Sequence, residues 1–70
     1  MQLRQFIKFF SEDEVFKVVT VDEESNESIT LMNFVKRDLP KIEKYFNSIL
    51  DCNLNEGDVV IQGAMIIIYV

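Results

Sequence analysis

Hydrophobic positions near the start of the chain recur with the period of an α-helix. The residues that lie three or four positions apart are Leu3, Phe6, Ile7 and Phe10. The stretch 15–21 is different, because four valines, a phenylalanine and a threonine occur there without helical spacing. Such residues pack well in extended chains, so the stretch predicts a β-strand. Both of its faces are largely apolar, which predicts a strand in the interior of its sheet.

A polar turn over 22–27 follows this strand, and residues 28–31 form a short partner strand. Together they predict a β-hairpin with an acidic tip. From Leu31 onward the apolar spacing becomes helical, and Asp-Leu-Pro at 38–40 marks the start of the main helix, because proline is tolerated in a first helical turn. The apolar stripe of this helix consists of Leu39, Ile42, Tyr45, Phe46 and Ile49.

The last third of the chain has the pattern of strands. Apolar and polar residues alternate over 50–54, which predicts a strand with one solvated face, and 55–58 is a turn. Residues 58–70 form either one long strand with a bulge at Gly63 or two strands that turn at Gln62 and Gly63. The order of elements predicts a single α+β domain over the whole chain, with a short N-terminal helix, a β-hairpin, a second helix and C-terminal antiparallel strands, the helices packed on one sheet.

Composition argues against most enzymes. The chain has 70 residues and no histidine, which removes the commonest general base and a common metal ligand. A chain this short has little interior in which to form a substrate pocket. Twelve acidic residues against seven basic ones give a net charge of −5, which disfavours direct binding of nucleic acid. We therefore expect a non-enzymatic binding protein without catalytic residues or cofactor.

One calcium-like pattern occurs, and it fails on inspection. Asp51, Asn53 and Asn55 alternate as the first ligands of a calcium loop do. The glycine expected at the sixth position is Glu56, and the glutamate expected at the twelfth is Gln62. A strand and a polar turn explain these residues without a metal, so we predict no metal site.

The single cysteine and the lack of targeting signals indicate where the protein resides. Cys52 cannot form an internal disulfide and has no histidine to activate it, so we expect it to fill space in the core. The first residues lack the pattern of a signal peptide, so the mature chain is expected to begin at Met1. No apolar run is long enough to span a membrane. A reducing intracellular compartment is therefore expected.

The acidic residues are concentrated in one segment of the chain. Residues 11–28 hold seven acids and only Lys17 as a base, a local charge of −6. The acids are Glu12, Asp13, Glu14, Asp22, Glu23, Glu24 and Glu27. A straight strand over 15–21 places the two groups at opposite ends, roughly 20 Å apart. The acids either keep a small protein soluble or imitate phosphates and occupy a basic groove of a nucleic-acid-binding protein.

The C-terminal strand is a second candidate surface. Its residues are uncharged, prone to β-structure and free of proline, so an open edge there is an aggregation hazard. A central place in the sheet covers the strand within the monomer. Pairing with a second copy is the alternative, and its interface residues would be Met65, Ile66, Ile67, Ile68 and Tyr69.

The whole chain resembles the small acidic proteins encoded by phages and other mobile elements of Gram-positive bacteria. The resemblance rests on Leu-Arg-Gln-Phe-Ile-Lys-Phe-Phe at 3–10, the acid-rich approach to the strand 15–21 and the ending Met-Ile-Ile-Ile-Tyr-Val at 65–70. Some such proteins are anti-defence factors, including anti-CRISPR inhibitors that bind their targets. The resemblance implies an inhibitor in the cytoplasm of a bacterial host. The protein partner of this inhibitor is expected to have a basic surface. A homo-oligomeric structural or accessory subunit is the alternative.

Overall fold

Short helices and one four-stranded sheet make up the structure, which confirms the predicted α+β class. The computed structural model describes residues 1–55 and 58–70. The elements are α1 (Leu3–Ile7), β1 (Val15–Val21), β2 (Ser28–Val35), a 3-10 helix (Lys36–Asp38), α2 (Leu39–Ile42), a second 3-10 helix (Glu43–Tyr45), α3 (Asn47–Leu50), β3 (Val59–Gln62) and β4 (Met65–Tyr69).

Strand β1 lies in the interior of the sheet, as its two apolar faces predict. The strand order is β2-β1-β4-β3. β1 is antiparallel to β2 and parallel to β4, and β3 is antiparallel to β4. Parallel neighbours need a long connection, and the helical segment after β2 forms part of it. The sheet is therefore mixed, with its one parallel pair at the centre.

The C-terminal segment forms two strands that turn at Gly63, which decides between the two alternatives. Gly63 has a φ of 61°, a left-handed conformation that glycine adopts without the steric penalty of a Cβ atom. Apart from Gly63 and its two neighbours in the chain, no heavy atom of the described residues lies within 4 Å of the position that a Cβ would occupy there. The backbone angle, rather than a lack of space, therefore favours glycine at this turn.

The helical interpretation of Leu31 to Val35 is wrong, because β2 continues to Val35. Met32 lies opposite Val18 and Phe34 opposite Phe16, and all four side chains are buried. A register shift between Val18 and Val19 introduces one extra residue on β2, which disturbs the two-residue alternation that identifies a strand. The stretch 31–35 is therefore extended, because pairing with β1 stabilises the strand more than the helical spacing of its apolar residues favours a helix.

The predicted main helix and the strand after it are also corrected. The helix is divided into three short pieces, and Phe46, with φ −130° and ψ 22°, interrupts it before α3. Tyr45 leaves the predicted apolar stripe and is exposed. Within the predicted strand 50–54, Leu50 ends α3 and Asn53 forms an isolated bridge to Gln2. Backbone groups there bond to the N-terminal segment instead of a sheet, and Glu56 and Gly57 of the predicted turn lie outside the described residues.

The hydrophobic core lies on one face of the sheet, beneath the helices. Its buried members from the strands are Phe16, Val18, Met32, Phe34, Ile66 and Ile68, and those from the helices are Leu3, Ile7 and Leu50. The Phe16 ring stacks on Phe34 at 5.5 Å between centroids and meets the edge of Phe10 at 5.4 Å. Phe16 therefore joins β1, β2 and the segment that follows α1 in one aromatic cluster.

Replacing Phe16 by alanine should remove this junction. Phe16 is 0% exposed, so Phe16→Ala leaves a cavity and should lower the free energy of unfolding by about 3–5 kcal/mol. Phe9 is 73% exposed, so Phe9→Ala is the matched control and should change it by less than about 0.5 kcal/mol. Urea unfolding followed by circular dichroism measures both. Equal losses in the two variants would contradict this core.

Candidate functional site

The two acidic groups lie at opposite ends of β1, as predicted. Glu12, Asp13 and Glu14 come directly before the strand, and the turn 22–27 follows it. The structure therefore does not join the seven acids into one surface. Each end has its own neighbours, and these differ in charge.

The first group is held against basic residues at the end of β2. Lys36 Nζ lies 3.6 Å from Glu12 Oε1, and the Arg37 guanidinium contacts the Asp13 carboxylate. The backbone N–H of Lys36 donates to the carbonyl of Glu14 at 2.9 Å, and that of Arg37 donates to the carbonyl of Glu12 at 3.1 Å. These contacts offset part of the negative charge at this end. They also connect the start of β1 to the first 3-10 helix, Lys36–Asp38.

The turn 22–27 has a defined backbone and carries exposed carboxylates. The Asp22 N–H donates to the Glu27 carbonyl at 2.8 Å, and the Asn26 N–H donates to the Asp22 carbonyl at 2.7 Å. Asp22 Oδ1 also accepts from the Glu24 N–H at 3.1 Å, and Asn26 has a φ of 57°, which asparagine tolerates. In the part of the chain that the structure describes, the ion pairs do not include any acid of this turn.

Asp58 lies at the same end of the sheet as this turn. β4 runs parallel to β1, and β3 runs antiparallel to β4, so β3 starts where β1 ends. Asp58 precedes β3 directly, and its Oδ2 accepts from the Asn55 N–H at 3.3 Å. We call the set at this end the acidic end; its members are Asp22, Glu23, Glu24, Glu27 and Asp58. Their combined charge equals the net charge of the whole chain, −5.

Sequence reasoning did not identify Asp58 as part of this group. Asp58 is more than thirty residues from the turn along the chain. The strand order and the parallel pairing of β1 with β4 bring the two together. The sequence shows an acid before an apolar strand, but it does not show at which end of the sheet that strand begins.

The C-terminal strand occupies the centre of the sheet, so the monomer covers its edges. β4 pairs with β1 on one side and β3 on the other. Ile66 and Ile68 are buried in the core beneath the helices, and Met65, Ile67 and Tyr69 alternate with them on the other face. The edges of β4 are therefore unavailable for backbone pairing with a second copy. The face of β4 that carries Met65, Ile67 and Tyr69 is not part of the core beneath the helices.

The remaining candidates for chemistry have structural partners. Asp51 Oδ1 accepts from Arg4 Nε at 2.7 Å, and Asn53 lies in the bridge to Gln2. Cys52 is half-buried instead of filling the core, and its Sγ lies 3.3 Å from the Ser48 carbonyl. Over residues 1–55 and 58–70 the side chains form no cluster of three or more histidine, cysteine or acidic residues suited to a metal ion.

An open cavity of about 530 Å³ lies between the N-terminal helix and β3. The described residues that line it are Met1, Phe6, Leu54, Asn55 and Val59. None of these side chains is ionisable, so they offer no acid, base or nucleophile. The cavity is larger than the length of the chain suggests, because the helices leave the β3 side of the sheet partly open.

Comparisons with protein-family models, curated proteins and solved structures found no match for this chain. Among the described residues, no helix has the length and apolar character needed to cross a membrane.

The Lys36 side chain stabilises the end of the sheet where Glu12 and Asp13 precede β1. Its Nζ donates to the Phe10 carbonyl at 2.6 Å and to the Lys8 carbonyl at 3.4 Å, and its side chain is only 17% exposed. Lys36→Met keeps the apolar stem but leaves these carbonyls without the amine, and should cost about 1–2 kcal/mol of unfolding free energy. Lys41 is mostly exposed, so Lys41→Met should cost less than about 0.5 kcal/mol. Thermal or urea unfolding compares the two, and equal costs would contradict the role given to Lys36.

Proposed function

We propose that this protein works without catalysis, by binding another protein through its acidic end. The partner's surface is a basic groove built to hold nucleic acid. Most concretely, the protein is a phage-type inhibitor that acts in the bacterial cytoplasm on a host defence effector that depends on nucleic acid. The observation that carries the proposal is the placement of Asp22, Glu23, Glu24, Glu27 and Asp58 at one end of the sheet.

The spacing of these acids suits a groove that binds phosphates. Neighbouring strands lie about 4.8 Å apart, so the turn above β1 and β2 is roughly 12 Å from the start of β3. Double-stranded DNA carries one charge per about 1.7 Å of axis, which gives about seven charges over this distance. Five carboxylates over the same span are of similar density. A basic groove therefore meets a comparable negative field.

The distribution of the other charges favours recognition over general solubility. Lys36 and Arg37 offset acids at the opposite end, and Arg4 is paired with Asp51. The charges outside the acidic end sum to zero over the sequence, so the net charge of −5 equals the charge of this end, where it produces a directed field. Such a field accelerates association with a surface of opposite charge and disfavours acidic partners.

The same exposure argues against acid catalysis at these carboxylates. A carboxyl group that acts as a general acid requires an apolar, walled environment. The side chains of the turn 22–27 instead face solvent. Binding is the chemistry that exposed, unpaired carboxylates perform best.

Two triple variants with equal charge changes test which end binds. One carries Glu23→Gln, Glu24→Gln and Glu27→Gln; the control carries Glu12→Gln, Asp13→Asn and Glu14→Gln. Each is immobilised and exposed to a lysate of a Gram-positive bacterium at low salt, and retained proteins are eluted by a salt gradient. We expect the wild type and the control to retain a nucleic-acid-binding protein that duplex DNA displaces. The first variant should retain at least tenfold less.

Three outcomes would contradict the proposal. Equal retention by both variants would show that the acidic end is not the binding surface. Retention that persists at 1 M salt would exclude an electrostatic complex, because salt at that concentration reduces the range of charge interactions to about 3 Å. A retained partner that duplex DNA does not displace would exclude occupation of a nucleic-acid groove.

A further inference from the structure

The face of the sheet opposite the helices is largely apolar, and none of the helices in residues 1–55 and 58–70 packs on it. The strand register places eight apolar residues there, and we call them the association face: Val15, Val19, Val21, Val35, Val60, Met65, Ile67 and Tyr69. The core residues point to the other side, because side chains alternate along each strand. Val19 is only 3% exposed, yet it does not belong to the core beneath the helices.

An antiparallel pair with one solvated face normally carries polar residues on that face. Here the central strands β1 and β4 present mainly valine, isoleucine, methionine and tyrosine to the uncovered side. Lys17 is the basic residue near the middle, where it aligns with Asn33 on β2 and Ile67 on β4. In the described part of the chain, the ion pairs do not include Lys17. The face therefore combines an apolar surface with one uncompensated positive charge.

We propose that a second copy of this chain covers the association face. Strands of four to eight residues, with four strands about 4.8 Å apart, give a face of roughly 19 by 20 Å. Two such faces bury on the order of 1,000 Å² together, which is the size at which specific interfaces begin. The dimer is accordingly one that dissociates on dilution in the micromolar range.

Charge decides how the two copies are oriented. Parallel stacking would bring the two acidic ends together and place ten carboxylates side by side. Antiparallel stacking avoids this repulsion, because it places each acidic end over the end where Lys36 and Arg37 offset the acids Glu12 and Asp13. It also moves Lys17, the third residue of β1, towards the acidic turn of the second copy. Sheets packed face to face in this way lie about 10 Å apart with their strands nearly aligned.

Neighbouring residues on β3 provide a matched test of the face. Val60 is 45% exposed and lies on the association face, whereas Ile61 is 71% exposed and points to the opposite side. Val60→Glu places a charge in the proposed interface, and Ile61→Glu places the same charge on the same strand outside it. Both sites are exposed, so both variants should fold; thermal melts check this.

Sedimentation equilibrium from 5 μM to 1 mM measures the association. We expect the wild-type mass to rise from 8.2 kDa to about twice that value. Val60→Glu should raise the dissociation constant at least tenfold, and Ile61→Glu should leave it within twofold. A wild-type monomer at 1 mM would overturn the proposal, and so would equal weakening by both variants. The triple glutamine variant of the turn separates this proposal from the previous one, because it should lose the basic partner and still dimerise.

Discussion

Hydrogen bonding along both edges of β1 is the constraint on which the rest of the structure depends. β1 is antiparallel to β2 and parallel to β4, so the strand has no free edge. Phe16 and Val18 point to the helices and belong to the core, and Val15 and Val19 point to the other side. A strand that is apolar on both faces can occupy this place because neighbouring strands pair with both of its edges over residues 15–19.

The position of β1 also separates the charges of the molecule. The acids before the strand meet Lys36 and Arg37, because β2 returns the chain to that end. The acids after the strand lie in the hairpin turn, where Asp58 joins them through the order of the other strands. The parallel pairing of β1 with β4 therefore brings together at one end five acids whose charge equals the net charge of the chain. The proposed binding surface and the proposed dimer face follow from the same topology, yet they use different residues.

Local patterns predicted what depends on local chemistry. The valine-rich stretch identified β1 and its interior place, and the polar turn and the N-terminal helix followed from composition and spacing. The end of β2 was missed because the register shift near Val18 disturbs the alternation over Leu31 to Val35. The stretch 50–54 alternates like a strand, but its backbone bonds to Met1 and Leu3 leave it outside the sheet. The place of Asp58 in the acidic end could not be predicted, because it follows from the order of the strands, and a local sequence pattern does not reveal that order.

Residue-resolved amide hydrogen exchange tests the central place of β1 most directly. Amides bonded on the interior of a sheet exchange only through global unfolding, whereas edge strands open locally. We expect the amides of β1 and β4 to be the slowest to exchange and those of the edge strand β3 to exchange faster. Exchange of the β1 amides as fast as that of β3 would contradict the doubly paired strand, and with it the separation of core, acidic end and association face.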